Sequence, residues 1–268
     1  METDATSTVH VQLVAPRYVK YGNTASLYCN HTVPESNLHK IEFVKDDKKI
    51  LQYIKDRNTQ FTMPVKMTGA VLEYSPDGKT IKLKDVTFDA SGTYSCEVSM
   101  ATPIYAKASN DVQMQVIVTQ TDNPQITFKK AVYEVGEYLE ANCTSSPARP
   151  VPYLTWLING KEVDVTLVTV YPHKQHNYGL MSSTAKLKIQ VSELHAGENG
   201  HLEISCQSTI PDYPITHKQY ADFRSRTVSV QIIPAVLDIS SPARNARQGF
   251  MLPTIMCILC GVYRIIPL

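Results

Sequence analysis

Four cysteines constrain this chain more than any other feature. Cys29 and Cys96 lie 67 residues apart, Cys143 and Cys206 lie 63 apart, and none of the four has the close cysteine neighbour that a metal-binding pair requires. The near-equal spacing reads as one folding unit used twice, each closed by a long-range disulfide, Cys29–Cys96 and Cys143–Cys206. Closing loops of this length removes on the order of 4 kcal/mol of chain entropy from each unfolded unit, but only where thiols stay oxidised. The expected compartment is therefore outside the cell. A length of 268 residues agrees, being about two domains of ordinary size.

Charge and motif content exclude several function classes. Lys and Arg number 26 against 25 Asp and Glu, a formal net charge of +1, so no chain-wide field attracts nucleic acid or an anionic membrane. With 43% hydrophobic and 19% charged residues, the chain is globular in composition, not disordered. It contains no phosphate-binding Gly-rich loop, no Gly-x-Ser-x-Gly and no His-Glu-x-x-His. His173 and His176 are the closest histidine pair, but their segment is polar, non-helical and without a carboxylate, which reads as a solvated loop. No catalytic residue, cofactor or metal is expected, and the chain is read as a non-enzyme.

The hydrophobic pattern is that of strands. Ala25, Leu27 and Cys29 share one face of a strand, as do Ile41 and Phe43 of the next; Ser75-Pro76-Asp77-Gly78 marks a turn, and Ile81, Leu83 and Val86 precede Tyr94 and Cys96. The second unit repeats the grammar with Leu139, Ala141 and Cys143, a hairpin turn at Asn159-Gly160, then Leu187, Ile189 and Val191 before Cys206. Trp156, the only tryptophan, follows Cys143 closely enough for its ring to cover a disulfide. Cysteine, tryptophan and cysteine at these spacings, with Tyr94 two residues before Cys96, are the pattern of an immunoglobulin sandwich, in which the bridge joins two stacked sheets. The fold class expected is all-β, with two tandem immunoglobulin-like sandwiches. Three departures are visible: Phe43 stands where a tryptophan is usual, Asp89 lies one residue further from Cys96 than is common, and Ile204 occupies the second corner-tyrosine position. The expected boundaries are an N-terminal remnant 1–8, a variable-like domain 9–118, a linker 119–124 ending in Pro124, a constant-like domain 125–236, and a polar spacer with an apolar tail 237–268.

Asn30 and Asn142 begin Asn-x-Ser/Thr triplets and are candidate glycan acceptors, each beside an inward-facing cysteine and so pointing to solvent. Residues 1–18 hold no apolar run of the kind a secretory leader needs, so the natural start is expected upstream of Met1. From Phe250 the tail is apolar but short for a membrane span. It contains Pro253 and Arg264, and it follows small residues at Ser240, Ser241 and Ala243 in the order of a glycolipid (GPI) attachment signal. Lipid anchoring, a membrane-spanning segment and simple secretion all remain open. Cys257 and Cys260 resemble a redox pair by spacing alone.

If Ile41 and Phe43 face the core, Glu42 and Val44 face outward, joined by Ser95, Glu97 and Ser99 from the strand of Cys96, by Gln52, and by Gln113 and Gln115 from the last strand. This polar face with Val44 at its centre reads either as ordinary solvated sheet or as the candidate partner-binding surface, with Tyr53 and Tyr105 near its edges open to roles as aromatic anchors or as loop or core residues. The run Lys45-Asp46-Asp47-Lys48-Lys49 is expected as the hairpin that joins two of its strands.

Three strings, LVAPRYVKYGNTASLYCNHTV at 13–33, ASGTYSCEVSMATP at 90–103 and YEVGEYLEANCTSSPARPVPYLTWLING at 133–160, resemble the Beaten path family of insect two-domain immunoglobulin cell-surface proteins. The likeness runs from about residue 9 to about residue 233. It implies a neuronal surface or secreted protein that binds Sidestep-like immunoglobulin proteins on other cells in axon guidance and synaptic partner choice. The alternatives left open are a soluble ligand or decoy without an anchor, and an intracellular structural pair of immunoglobulin domains with free thiols.

Overall fold

The computed structural model describes residues 9–197, 199–210 and 220–235. The expected remnant at 1–8, and the tail with its anchoring segment and Cys257 and Cys260, lie outside the described residues. Within them the chain forms 22 strands and a few single turns of 3-10 helix.

The N-terminal half builds two sheets. One has four strands, in the order β1 (Val11–Val14), β3 (Ala25–His31), β8 (Thr80–Lys84) and β7 (Val71–Tyr74). The other has seven. It runs β2 (Tyr18–Lys20), β11 (Val112–Ile117), β9 (Gly92–Met100), β4 (Leu38–Lys45), β5 (Lys48–Ile54) and β6 (Phe61–Thr62), while β10 (Tyr105–Ala108) pairs with the far end of β9. The extra strand β6 beside β5 and the parallel pairing of β2 with β11 give this half the wide sheet of a variable-type sandwich.

The C-terminal half repeats the plan with fewer strands. A four-stranded sheet runs β12 (Gln125–Phe128), β14 (Tyr138–Thr144), β20 (Thr184–Gln190) and β17 (Val168–Val170). A five-stranded sheet runs β13 (Val132–Glu134), β22 (Asp222–Ile233), β21 (His201–Ile210), β15 (Tyr153–Ile158) and β16 (Lys161–Glu162), and β18 (Lys174–Gln175) pairs with β19 (Met181–Ser182).

Alternation creates the cores. Along β3 the side chains of Ala25, Leu27 and Cys29 are buried while their neighbours are exposed, the period of two that a half-buried strand dictates. They meet Phe43, Ile81, Leu83 and Cys96 in one cluster; Leu139, Trp156, Leu187, Ile204 and Cys206 form a second. Each fully buried Leu, Ile or Phe is worth about 1.5–3 kcal/mol relative to exposure. Disulfides Cys29–Cys96 and Cys143–Cys206 cross from sheet to sheet through these clusters. Phe43 sits directly across from Cys96 in the ladder, and Trp156 directly across from Cys206. The expected aromatic covers are thus in place over both bridges.

Local chemistry sets the turns. Asp46 and Asp47, between β4 and β5, both have positive φ (46° and 62°), as do Asn159 and Gly160 between β15 and β16 (48° and 77°). This is the two-residue hairpin geometry that Asn, Asp and Gly tolerate best. The Asp46 carboxylate accepts from the Thr93 amide at 2.9 Å and from Lys45 Nζ at 2.7 Å, which keeps its carboxyl below the usual range. In the first sandwich the Tyr94 hydroxyl donates to the Ala90 carbonyl at 2.6 Å, and burial pushes its phenol well up. Ile204 takes the equivalent place in the second sandwich, fully buried and without a hydrogen bond to make.

Between the two cores, Val118 and Arg149 exchange backbone hydrogen bonds at 2.8 and 3.0 Å, and the Arg149 guanidinium lies 3.7 Å over the ring of Phe88. Gln120 is buried, its amide and side chain both donating to Asp222 and its carbonyl accepting from Arg224.

Candidate recognition surface

The outward face of the seven-stranded sheet is assembled from β4, β5, β9, β10 and β11. Registry places Glu42 opposite Glu97 on one side and opposite Gln52 on the other, with Val44 opposite Ser95. Val44, Gln52, Ser95, Glu97 and Gln115 are half-buried and Gln113 is exposed, so these residues share an open, mostly polar face as expected. Glu97 makes no ion pair among the described residues and stands as a free carboxylate near the centre.

Glu42 has a different environment from the one its outward position suggests. Its side chain is 0% exposed. Lys40 Nζ lies 2.8 Å from one carboxylate oxygen, Lys49 Nζ lies 3.0 and 3.1 Å from the two oxygens, and Gln52 Nε2 donates at 2.8 Å. Thr62 on β6 donates in turn to Gln52 Oε1 at 3.2 Å. Burial alone raises a carboxyl's pKa, but the hydrogen bonds and charges of the two lysines outweigh it and hold Glu42 below the usual carboxylate range. Lys49 is correspondingly raised, by Glu42 first and by the Glu97 charge to a lesser degree. A partner approaching here meets the two lysines, not Glu42.

Strand geometry decides the place of Tyr53 and corrects that of Ser99. Tyr53 belongs to the core, packed on Phe61 with ring centroids 5.1 Å apart, because it follows Gln52 directly and adjacent strand residues point to opposite faces. A Cβ at Gly78 would lie 2.3 Å from the Tyr53 ring, and Gly78 itself has φ +69°, so both packing and backbone require glycine in that turn. Ser99 is buried, between Lys40 on β4 and Ala106 on β10.

Two features of the face escape a simple alternation. Pairing between β4 and β5 slips between Phe43 and Val44: Phe43 faces Leu51 but Val44 faces Lys49, leaving Ile50 as an extra residue. This bulge buries Ile50 and Leu51 side by side and turns Lys49 toward Glu42. The second is Ile104, in the four-residue loop that joins β9 to β10, which is 95% exposed. Tyr105 follows it and is also exposed, as its expected anchoring role requires. The last strand breaks between β10 and β11, where Ser109 accepts from the Cys96 amide through its hydroxyl and donates to the Cys96 carbonyl through its own amide.

Elsewhere, Asn30 and Asn142 are exposed on β3 and β14. His173 contacts the Ser183 hydroxyl and His176 the Ser182 hydroxyl. Among the described residues no group of three or more His, Cys, Asp or Glu side chains is arranged to hold a metal, and no helix is long and apolar enough to cross a membrane.

Two sheets stacked across a disulfide, twice in succession, define a protein of two tandem immunoglobulin-like domains. Residues 121–211 match the family model of the CD80-like C2-set immunoglobulin domain. Among solved structures the chain is similar to murine CEACAM1b, at 15% identity and a TM-score of 0.53, over 84% of this chain and 100% of that one. It is also similar to a chain in the structure of a mouse coronavirus receptor-binding domain complexed with its murine receptor, at 17% identity and a TM-score of 0.52, over 84% and 100% of the two chains. At these identities the likeness is one of fold.

Proposed function

We propose that the chain is a recognition protein held at the cell surface or released outside the cell. Its first domain docks through the outward face of the seven-stranded sheet on a Sidestep-like immunoglobulin protein of another cell, in axon guidance and synaptic partner choice. The observation that carries this reading is the juxtaposition of a broad polar sheet, a free carboxylate at Glu97 and an exposed apolar pair, Ile104 and Tyr105, on the adjoining hairpin. Protein interfaces use about 800 Å² per partner, and a few aromatic or aliphatic side chains within them carry most of the affinity. Lys40 and Lys49, fixed by Glu42, add oriented charge at little further entropic cost. The similar fold of a chain solved in a virus protein–receptor complex supports a protein partner in general; the Sidestep-like partner rests on the family resemblance.

In the same reading residues 9–118 are the recognition domain, 119–124 the linker and 125–236 a supporting domain. Asn30 and Asn142 carry glycans, and the tail 237–268 holds the protein at the membrane through a glycolipid, which raises its effective concentration. The test is a binding screen of the full chain against a panel of extracellular immunoglobulin proteins that includes Sidestep-like ectodomains. Val44→Asp combined with Glu97→Lys abolishes the binding found, with the melting temperature unchanged. Unaltered binding by that variant removes this face from the account.

A further inference from the structure

The four-stranded sheet of the second domain has an outward face that the recognition surface does not use. Along β14 the side chains of Leu139, Ala141 and Cys143 are buried, so Glu140 and Asn142 point the other way. Registry sets Asn142 between Thr127 of β12 and Lys186 of β20, and Thr169 of β17 lies beyond Lys186. Tyr171, two residues past Thr169, shares this face, and its amide donates to the Thr184 carbonyl of β20 at 3.0 Å.

These residues border one shallow depression. By strand order Thr127 and Phe128 stand on one side of it, Asn142 and Lys186 in the middle and Tyr171 on the other. Lys186 Nζ lies 2.8 Å from a Glu140 oxygen and, with three N–H groups, has donors to spare. Tyr171 is 41% exposed, an aromatic ring at the edge of the depression with much of its surface in water. Thr127 and Asn142 are exposed as well. A free small molecule would gain too little in so open a place to offset the entropy it loses on binding. An occupant already tied to the chain does not meet that cost.

Such an occupant is set by the sequence, because Asn142 begins the triplet Asn142-Cys143-Thr144 and lies within the depression itself. We propose that the depression is a carbohydrate seat, in which the first N-acetylglucosamine of a glycan on Asn142 rests against the Tyr171 ring and accepts hydrogen bonds from Lys186. This rests on the reading of Asn142 as a glycan acceptor and adds to it a folded-state contact for the sugar. A pyranose has faces of C–H groups and a rim of oxygens: an aromatic ring covers the first, and an ammonium group answers the second. The seated sugar stabilises the second domain, because it meets Tyr171 only when β14, β20 and β17 are paired.

The test uses the full chain secreted from a eukaryotic host. Asn30 and Asn142 begin the only two Asn-x-Ser/Thr triplets, so Asn30→Gln leaves one acceptor. Intact mass establishes whether Asn142 is modified, and an endoglycosidase then trims the glycan to its first sugar. That single-sugar chain is expected to melt about 3 °C or more above its Asn142→Gln counterpart, the shift that one modest contact produces in a domain of about 100 residues. The increment falls by half or more in Tyr171→Ser and in Tyr171→Leu, each measured against its own Asn142→Gln counterpart so that the cost of the substitution itself cancels. The effect of a glycan on the unfolded chain does not involve Tyr171. An increment of full size in either substituted chain, or none in the parent, therefore overturns the seat and leaves the attachment standing. An unmodified Asn142 overturns the attachment, and the seat with it.

Discussion

Each domain carries a glutamate flanked by two lysines on a sheet, and the two clusters differ in almost every physical respect. In the first, Glu42 is fully buried beneath Lys40 and Lys49 and receives a further hydrogen bond from Gln52. In the second, Glu140 meets Lys186 at 2.8 Å and Lys188 at 3.6 Å, with a quarter of its side chain still in water. Hydrogen bonding to Lys186 lowers the Glu140 carboxyl too, so the direction of the shift does not separate the two. Burial does: a water-screened ion pair contributes little, while a covered carboxylate depends on every partner it has. The first domain has thus committed side chains to a fixed polar centre in the sheet proposed as the docking face; the second has an ordinary solvated cluster.

The bridges set the largest expected effect and the baseline for that comparison. Replacing both cysteines of either pair by Ala costs its domain about 4 kcal/mol, and the two losses agree closely because the closed loops are nearly equal in length. Denaturant titration of the two double variants checks this. Losses that differ by more than about 1 kcal/mol would locate part of the stabilisation in the Phe43 and Trp156 packing around the sulfurs.

Next in size is Glu42→Gln, expected to cost about 1–3 kcal/mol at neutral pH, less than the roughly 3–5 kcal/mol of a fully buried broken pair, because Lys49 is half exposed and regains water. Its pH dependence has a definite sign. Glu42 is held below its unfolded value, so the stability it contributes is complete above about pH 5 and is lost as the pH falls through the folded-state pKa. Parent and variant should converge in acid melts as the pH falls through that lowered pKa, and a constant gap would show that the carboxylate charge is not what stabilises the site.

Tyr94→Phe is smaller, about 1 kcal/mol for one buried hydrogen bond to Ala90, and confined to the first domain, since Ile204 has no such bond to lose. Smallest of all, Glu140→Gln leaves the thermal melt of the second domain unchanged. A clear destabilisation there would erase the contrast between the two clusters.

The sequence makes some of this architecture legible because its rules are local. The alternation Ala25, Leu27, Cys29 and the pair Asn159-Gly160 need only strand period and turn chemistry, and the placement of Trp156 over a disulfide needs only spacing. Tyr53 reads equally as anchor or core because a strand tolerates only one of two adjacent residues on a face, and the buried neighbours Ile50 and Leu51 conceal which. Lys49 depends on a bulge, a property of paired strands that neither strand states alone. The covering of Glu42 depends on lysine stems folding back over the sheet. Ile104 lies in a short loop without periodicity, and the depression beside Asn142 draws on segments distant in sequence, which no local pattern records.

The central claim is that the first domain's outward sheet, and not its counterpart in the second, is the docking surface. Glu203 is an exposed glutamate on β21, the second domain's equivalent of β9, which carries Glu97. Surface plasmon resonance of Glu97→Lys and Glu203→Lys full-length chains against the immunoglobulin ectodomain selected in the screen compares the two sheets directly. The account predicts that Glu97→Lys weakens binding at least about tenfold, the scale of an interface hot spot, while Glu203→Lys binds as the parent does. Loss of binding in Glu203→Lys with Glu97→Lys unaffected would contradict it.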